Sequence, residues 1–300
     1  MRAFLVFMAL LLSFSVFAQE DFNSFLKPSD SINKERLKAV CITEAVLTSA
    51  TLIGLNELWY KDYPRSNFHT INDFDEWLQM DKIGHVFSSY QLARIGFESM
   101  KWSGADDNHQ YLNSILTGMT MLTMVEVLDG FSSEWGFSWY DMAANTIGTG
   151  LFIGQEKLWG EQRIHLKYSF SSTEYSKMNP DKLGANSLQE IFKDYNGQTY
   201  WLSANMRSFF KNSKIPHWLN VAFGYGADGM LTGITNNSSD FESQNRSRQY
   251  YISLDIDLSR INTRSRFLKT LFSTLNFVKI PLPTVEFRNQ KRAAFHLLFF

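Results

Sequence analysis

Seven polar side chains occupy two short segments of the sequence and the apolar stretch between them. They are Asp81, Lys82, His85, Glu126, Ser138, Asp141 and Asn145. Carboxylates and an imidazole together can hold a divalent metal ion or move protons, and amide or hydroxyl groups can orient them. Because a charge in an apolar environment needs a partner or a proton, the surrounding elements must bring these groups together.

Glu126 lies in the stretch Tyr111 to Asp129, whose length and apolar content predict one helix. At helical spacing the same face carries Leu122, Met119, Ile115 and Leu112. The carboxylate is therefore expected to project from an apolar stripe. We expect it to be buried and to be coupled to the helix that carries His85.

The other candidates fall on two further predicted helices. Asp81 and His85 are four residues apart, as are Asp141 and Asn145, so each pair shares one helix face. We expect Asp81 and His85 to be buried. Small residues in the last helix allow another helix to approach closely, at Ala143, Ala144, Gly148 and Gly150.

A purely structural interpretation accounts for most of these groups. In it Asp81 orients His85, and Glu126 meets Lys82, His85 or Asn145 in one buried hydrogen-bonded network. Such a network would hold the helices together without any reaction.

Asp141 has a structural alternative of its own. Ser138 stands three residues ahead of it, at the start of the predicted helix. Two such side chains can form a capping box that satisfies free backbone N–H groups.

Two chemical interpretations compete with the structural ones. As a metal site, His85 and Glu126 would be ligands together with Asp141 or Asp81, although the sequence lacks a Glu-x-x-His pair. As an acid–base site, His85, Glu126 and Asp141 would be the catalytic groups, with His85 or Glu126 as proton acceptor and Lys82 as a phosphate contact. The sequence leaves the metal and any other cofactor unidentified.

The order of these residues resembles a known family. The pattern D-K-x-G-H, then an acidic residue in an apolar helix, then G-x-S-x-x-D-x-x-A-N-x-x-G is similar to the YfiM-type family of predicted periplasmic lipoproteins. More remotely, it resembles the VanZ-like membrane domains linked to glycopeptide resistance. The resemblance covers Phe74 to Gly154. It implies a place in the cell envelope and no particular reaction.

The N-terminus predicts a cleavable secretory signal over residues 1–18. It has a basic start at Arg2, an apolar core and a small residue, Ala18, before Gln19. Gln19 stands where lipoproteins of the resembled family carry a cysteine, so we expect no lipid anchor. The single cysteine, Cys41, excludes an internal disulfide and is expected to be a buried thiol. We expect secretion across the inner membrane to the periplasm or the outer membrane.

Composition excludes one class of partner and leaves another open. The net charge of −1, with both signs mixed along the chain, makes nucleic-acid binding improbable. Aromatic residues make up 15% of the chain, with 26 Phe and 8 Trp. This content suits either a membrane interface or a large aromatic core. A membrane lipid or another envelope component is therefore the expected partner.

Periodicity predicts an α+β fold, an N-terminal helical bundle followed by a strand-rich C-terminal domain. We expect a polar linker at 19–36, the helical domain with both motifs at 37–159 and the strand-rich domain at 160–300. From Ile164 to Phe170 apolar and polar residues alternate, as in a half-buried strand. Further strands are predicted at 219–225, 250–258, 284–287 and 294–300. A helix is predicted at 267–277 and a loop at 236–248.

The end of the chain, Ala294 to Phe300, is apolar and must be covered. We expect a strand within the C-terminal domain rather than a strand of a membrane barrel. Phe295 or Phe300 should then pack in its core or against a membrane surface.

These observations favour an uncharacterised cell-envelope protein, a membrane-associated structural or lipid-handling factor. The alternative is a metal- or His-assisted enzyme acting on an isoprenoid phosphate or a phospholipid, which only the VanZ-like resemblance and the polar cluster suggest. No nucleophile is evident, because the serines near the second motif lack a nucleophile-elbow context.

Overall fold

The structure is a computed structural model that describes residues 23–61, 63–234, 245–288 and 292–300. The predicted signal and part of the predicted loop lie outside these ranges. Four long helices form the first half of the described chain: α1 Lys34–Leu55, α2 Met80–Ser103, α3 Asp107–Gly130 and α4 Trp139–Trp159. Shorter elements lie between them: a π-helical turn Asn56–Tyr60, a 3-10 turn Glu76–Gln79, and two short paired strands, β1 Thr70–Ile71 and β2 Phe137–Ser138.

Helix α1 starts three residues before the predicted domain boundary and packs along a narrow face. Its N-cap, Asn33, accepts hydrogen bonds from the backbone N–H groups of Glu35 and Arg36. Val40 is its buried residue, whereas the neighbouring Cys41 is exposed. The expected burial of the thiol is wrong because consecutive helical positions point about 100° apart.

Small residues bring α2, α3 and α4 into close contact. A Cβ at Gly148 of α4 would collide with the carbonyl oxygen of Val86 on α2. Ala144 is buried beside it, as predicted, but Ala143 and Gly150 face outward. Only half of the predicted small-residue set therefore serves the helix contact.

The buried face of α3 is polar over its first half. Asn113 donates from Nδ2 to the carbonyl oxygen of Gly96, and Ser114 donates from Oγ to that of Ala93. Ile115 and Leu112 are exposed instead. The predicted apolar stripe is therefore right for Leu122, next to Glu126, and wrong nearer the start of the helix.

Strands and short helices form the second half, which confirms the predicted α+β class. One antiparallel sheet has the order β3 Ile164–Phe170, β4 Gln198–Asn205, β5 Leu219–Asp228, β6 Ser247–Ile256, β7 Leu282–Arg288 and β8 Ala294–Phe299. Helices connect or flank these strands: α5 Tyr175–Met178, α6 Pro180–Leu183, α7 Ser187–Lys193, α8 Met206–Phe209, the 3-10 turn Leu258–Arg260 and α9 Arg266–Leu275. Strand β4 has no counterpart among the predicted elements.

The sheet is strongly curled. Its neighbouring strands lie about 4.8 Å apart, so β4 and β8 would be about 19 Å apart in a flat sheet. The ring centroids of Trp201 on β4 and Phe299 on β8 are 5.9 Å apart. Across the same concave side, Lys167 Nζ lies 2.8 Å from Asp255 Oδ2. The concave face is therefore an interior.

That interior is polar, contrary to the half-buried strand expected at Ile164 to Phe170. Lys167 and Asp255 are both 0% exposed. The apolar side of the same strand is also covered, because Leu166 packs with Tyr90 of α2 and Phe152 of α4. Both faces of β3 are thus covered, since the sheet curls on one side and the helical bundle packs on the other.

The last strand is formed as predicted, but a different residue anchors it. Phe295 is 68% exposed and Phe300 is 44% exposed, so neither packs in the core. Phe299 does so, with its ring 4.6 Å from that of Tyr251. An irregularity in the pairing of β7 and β8 shifts the register and turns Phe299 inward.

Phe299→Ala should therefore lower the free energy of unfolding by about 2 kcal/mol, because the ring loses its contacts with Trp201 and Tyr251. The matched control Phe192→Ala, at an exposed position of α7 away from the sheet, should change it by less than about 0.5 kcal/mol. Denaturant unfolding in detergent micelles, followed by tryptophan fluorescence, measures both. Equal losses for the two variants would contradict this assignment of the anchor.

Candidate functional site

A left-handed turn leads into the first motif. Trp77, Leu78 and Gln79 have φ values of 48°, 51° and 64°. Non-glycine residues adopt this region at a cost of roughly 1–2 kcal/mol each, so other contacts must hold the turn. Asp73 and Glu76 have the three-residue spacing of a capping box, but none forms here, because the side chain of Asp73 binds Lys82 and Ser138 instead.

The strand-rich half supplies the contacts that hold this turn. Trp77 donates its backbone N–H to Gly233, and the Tyr225 hydroxyl donates to the carbonyl oxygen of Leu78. Arg248 donates to the side chain of Gln79 at 2.6 Å. The start of α2 is therefore positioned by the sheet as well as by the bundle.

Lys82 is the cationic centre of the site. Its Nζ lies 2.5 Å from Asp73, 2.8 Å from Asp81 and 2.9 Å from Asp141. Burial by itself would lower the pKa of Lys82, but Asp81 and Asp141 raise it well above its ordinary value. The ammonium therefore stays charged and joins the loop before α2 to α4.

Ser138 links the other helices to this centre. Its Oγ accepts from the backbone N–H of Asp141, which confirms the predicted N-cap, and donates to Asp73 Oδ1 at 2.6 Å. The return bond of a capping box comes from Glu126, whose Oε2 accepts from the Ser138 N–H at 3.1 Å. The side chain of Asp141 is thus left for Lys82 and His85.

His85 faces three carboxylates. Its Nε2 lies 3.6 Å from Glu126 Oε1 and 3.9 Å from both Asp81 Oδ1 and Asp141 Oδ1. These separations are too long for hydrogen bonds. The other ring nitrogen, Nδ1, is 3.0 Å from Asn145 Oδ1. The expectation that Asp81 directly orients His85 is therefore replaced by an Asn145 contact.

Negative charge is in excess around the imidazole. Burial raises the pKa of Glu126 to about 8, with Asp141 adding to the rise and His85 opposing it. Burial, followed by the charge of Asp81, raises the pKa of Asp141 to about 7. Burial by itself would lower the pKa of His85, but the surrounding carboxylates raise it. The site thus favours an added positive charge, whether a proton or a cation.

The sequence does not identify three further residues of the site, which are Asp73, Tyr195 and Asp129. Asp73 joins the site through its ion pair with Lys82, which is a tertiary contact. Tyr195 donates its hydroxyl to Asp81 Oδ1 at 2.8 Å from the strand-rich half. Asp129 accepts from the Tyr60 hydroxyl at 2.7 Å, and burial raises its pKa to about 7. Asp129 is the one with a sequence signal, because it follows Glu126 at helical spacing.

Fold and site together define an α+β protein with a buried carboxylate–imidazole cluster in its helical half. A model of the family described as predicted periplasmic lipoprotein (DUF2279) matches residues 72–153. The match covers about a quarter of the chain and includes the cluster from Asp73 to Asn145. It supports relation to a periplasmic lipoprotein-type family of unknown function. No curated protein and no solved structure matches the chain.

The family description also bears on location. It confirms the predicted placement: the protein is secreted and lies in the periplasm or in association with the outer membrane. The resemblance to VanZ-like domains stays a prediction. So does the absence of a lipid anchor at Gln19, which lies outside the described residues.

Glu126 is 1% exposed and coupled to the His85 helix, as the sequence predicts. Glu126→Ala should lower the free energy of unfolding by roughly 2–4 kcal/mol, because the buried Ser138 N–H loses its acceptor. Glu126→Gln should cost less, since the amide oxygen keeps that bond. Urea unfolding of metal-free protein in detergent measures both.

The matched control is Glu98→Ala, at an exposed position of α2. It should alter stability by less than about 0.5 kcal/mol. An Ala variant at position 126 that melts like the wild type would refute the structural role of Glu126.

Proposed function

We propose that this protein is a membrane-associated structural or lipid-handling factor of the cell envelope, which contacts lipid through the convex face of its sheet. The observation that carries the proposal is the inverted polarity of that sheet. Its concave interior holds polar and charged groups beside the cluster of Trp201, Tyr251 and Phe299, and its exposed outward rows are apolar.

The outward rows follow from the strand register. One continuous row crosses five adjacent strands, with the partners Leu202, Phe223, Ile252, Val285 and Phe295. All of these except the half-buried Val285 are exposed large hydrophobic residues. A second row is aromatic throughout: Tyr200 and Tyr225 pack against the helical half, and Tyr250 and Phe287 are exposed. Outward apolar rows flanked by aromatic residues are typical of lipid-facing strands.

The inward rows have the opposite character. One of them contains Ser203, Ala222, Ser253, Thr284 and His296. Ser203 donates to Asp255, which itself pairs with Lys167. In water, a one-sided antiparallel sheet buries its apolar face and solvates its polar face. The reverse arrangement is stable where the surroundings are apolar, which supports lipid as the occupant of the convex face.

Helix α9 adds charge complementarity to this argument. It is amphipathic, none of its residues is buried, and Leu268 and Leu275 are exposed on its apolar side. Arg264, Arg266 and Lys269 supply positive charge along the same segment. Basic amphipathic helices of this kind lie at the surface of membranes that contain anionic lipid.

The helical half is compatible with a lipid neighbour but does not carry the proposal. Helices α1 and α3 are long and apolar enough to cross a membrane by length and composition. A core helix of a water-soluble protein passes the same test, and α3 also packs against α2. The sheet, whose two faces have opposite polarity, discriminates between the two environments.

The catalytic alternative stays a prediction. A phosphate bound at Lys82 would meet an ammonium that already has three carboxylate partners. Those carboxylates repel a phosphate group. Without a bound cation, this arrangement therefore does not support Lys82 as a phosphate contact.

Ile252→Lys tests the lipid contact at the middle of the outward row. A charge at the centre of a lipid-facing strand costs about 2–4 kcal/mol. The variant should therefore bind vesicles containing anionic lipid more weakly than the wild type. Flotation of protein that was folded in detergent, with circular dichroism to verify folding, measures the bound fraction.

Leu188→Lys is the matched control, because Leu188 is also an exposed leucine-sized residue but lies on α7, away from the outward rows. It should float like the wild type. Mature wild-type protein that stays soluble without detergent and does not float would overturn the proposal. So would equal flotation of Ile252→Lys and the wild type.

A further inference from the structure

We propose that Asp81, His85, Glu126 and Asp141 form a binding site for one divalent first-row transition-metal ion of the Zn²⁺ or Mn²⁺ type. The inference goes beyond the lipid contact and does not depend on it. It rests on the orientation of the imidazole, an unpartnered buried carboxylate oxygen and a set of supporting contacts.

The imidazole of His85 is oriented by Asn145. Its Nδ1 faces Asn145 Oδ1, an acceptor that is 0% exposed, so Nδ1 carries the proton. In the neutral ring, Nε2 then presents a lone pair to the oxygens of Glu126, Asp81 and Asp141. Four electron-rich atoms facing one another are unfavourable unless a positive charge lies between them.

The distances fit an ion at that position. Zn²⁺ binds nitrogen and oxygen ligands at about 2.0–2.2 Å, so neighbouring ligand atoms of a tetrahedral site lie about 3.3–3.6 Å apart. The three oxygens are 3.6–3.9 Å from Nε2. Ligand atoms of Asp81, His85 and Asp141 also lie within 4.8 Å of one another. The carboxylate oxygens must move towards a common centre beside Nε2 to complete the site.

Glu126 provides the second, independent observation. Its Oε1 is buried and has no hydrogen-bond partner among the described residues, although it points at His85. Its Oε2 is held by the Ser138 N–H. A carboxylate that has one oxygen held by a hydrogen bond and the other without a partner is arranged as a monodentate metal ligand. A buried carboxylate oxygen without a partner is otherwise costly.

Each of the four ligands has its own outer contact. The pairs are Asp81 with Tyr195, His85 with Asn145, Glu126 with the Ser138 N–H, and Asp141 with Lys82. Metal ligands in proteins are characteristically held by such outer contacts, which fix their orientation. Because these contacts come from separate parts of the chain, the orientation of each ligand side chain is fixed independently.

The ligand set determines the class of ion. One imidazole with three carboxylates suits Zn²⁺, Mn²⁺ or Fe²⁺, whereas Mg²⁺ and Ca²⁺ favour sites made of oxygen ligands alone. Lys82 offsets only part of the charge of the surrounding carboxylates, which include Asp73. The competing arrangement is an imidazolium at His85 with no ion, and the experiment separates the two.

The full mature protein, purified in detergent and treated with chelator, is titrated with Zn²⁺, Mn²⁺ and Co²⁺ by calorimetry, with Mg²⁺ and Ca²⁺ for comparison. We expect one equivalent of Zn²⁺ to bind and to raise the melting temperature. Co²⁺ should give the visible absorption of a nitrogen- and oxygen-ligated site. His85→Ala and Glu126→Gln should each weaken binding at least tenfold, and Asn145→Ala by about 10–100-fold.

The matched control is His165→Ala, which removes another buried imidazole next to a carboxylate, that of Asp257. It should bind Zn²⁺ like the wild type. Glu126→Gln keeps the Ser138 bond, so its loss of affinity is separable from loss of fold, which circular dichroism monitors. Wild-type protein that binds none of the three transition ions stoichiometrically would refute the site. Unchanged affinity in folded Glu126→Gln would refute it as well.

Discussion

The ion pairs of Lys82 are the constraint on which the rest of the site depends. An ammonium and several carboxylates are buried together, and each would be strongly destabilising without the others. The loop before α2, the start of α2 and the start of α4 must therefore meet at one place. Glu126 and Ser138 bring α3 to the same place. Helices α2, α3 and α4 thus converge where these charged and polar groups pair.

The same physical requirement governs the strand-rich half. Lys167 and Asp255 form an ion pair inside the curled sheet, where the Ser203 hydroxyl donates to Asp255 and the Asn220 amide donates to Ser203. When polar groups fill the interior, apolar side chains are left for the convex surface. In the bundle the first half of α3 repeats this arrangement, with Asn113 inside and Leu112 outside. Inverted polarity is thus a property of both halves, and it is the basis of the proposed lipid contact.

The two halves are coupled at the site. Tyr195 from the strand-rich half orients Asp81, and Tyr225 and Arg248 hold the left-handed turn that starts α2. The strain in that turn persists because contacts from the sheet offset it. The geometry of the polar cluster therefore depends on contacts from both halves.

By itself the sequence determined the elements and most of the cluster. Helical spacing placed Asp81 on the same helix face as His85, and the apolar neighbours of Glu126 predicted its burial. Ser138 predicted the N-cap of α4. All three signals are local in the sequence. Alternation located five of the six strands of the sheet. Only the tertiary structure decided which strand face lies inside. A period of two separates the two faces of a strand but does not show which of them faces the interior. It also decided the roles of Asp73 and Tyr195, since their partners are distant in the chain.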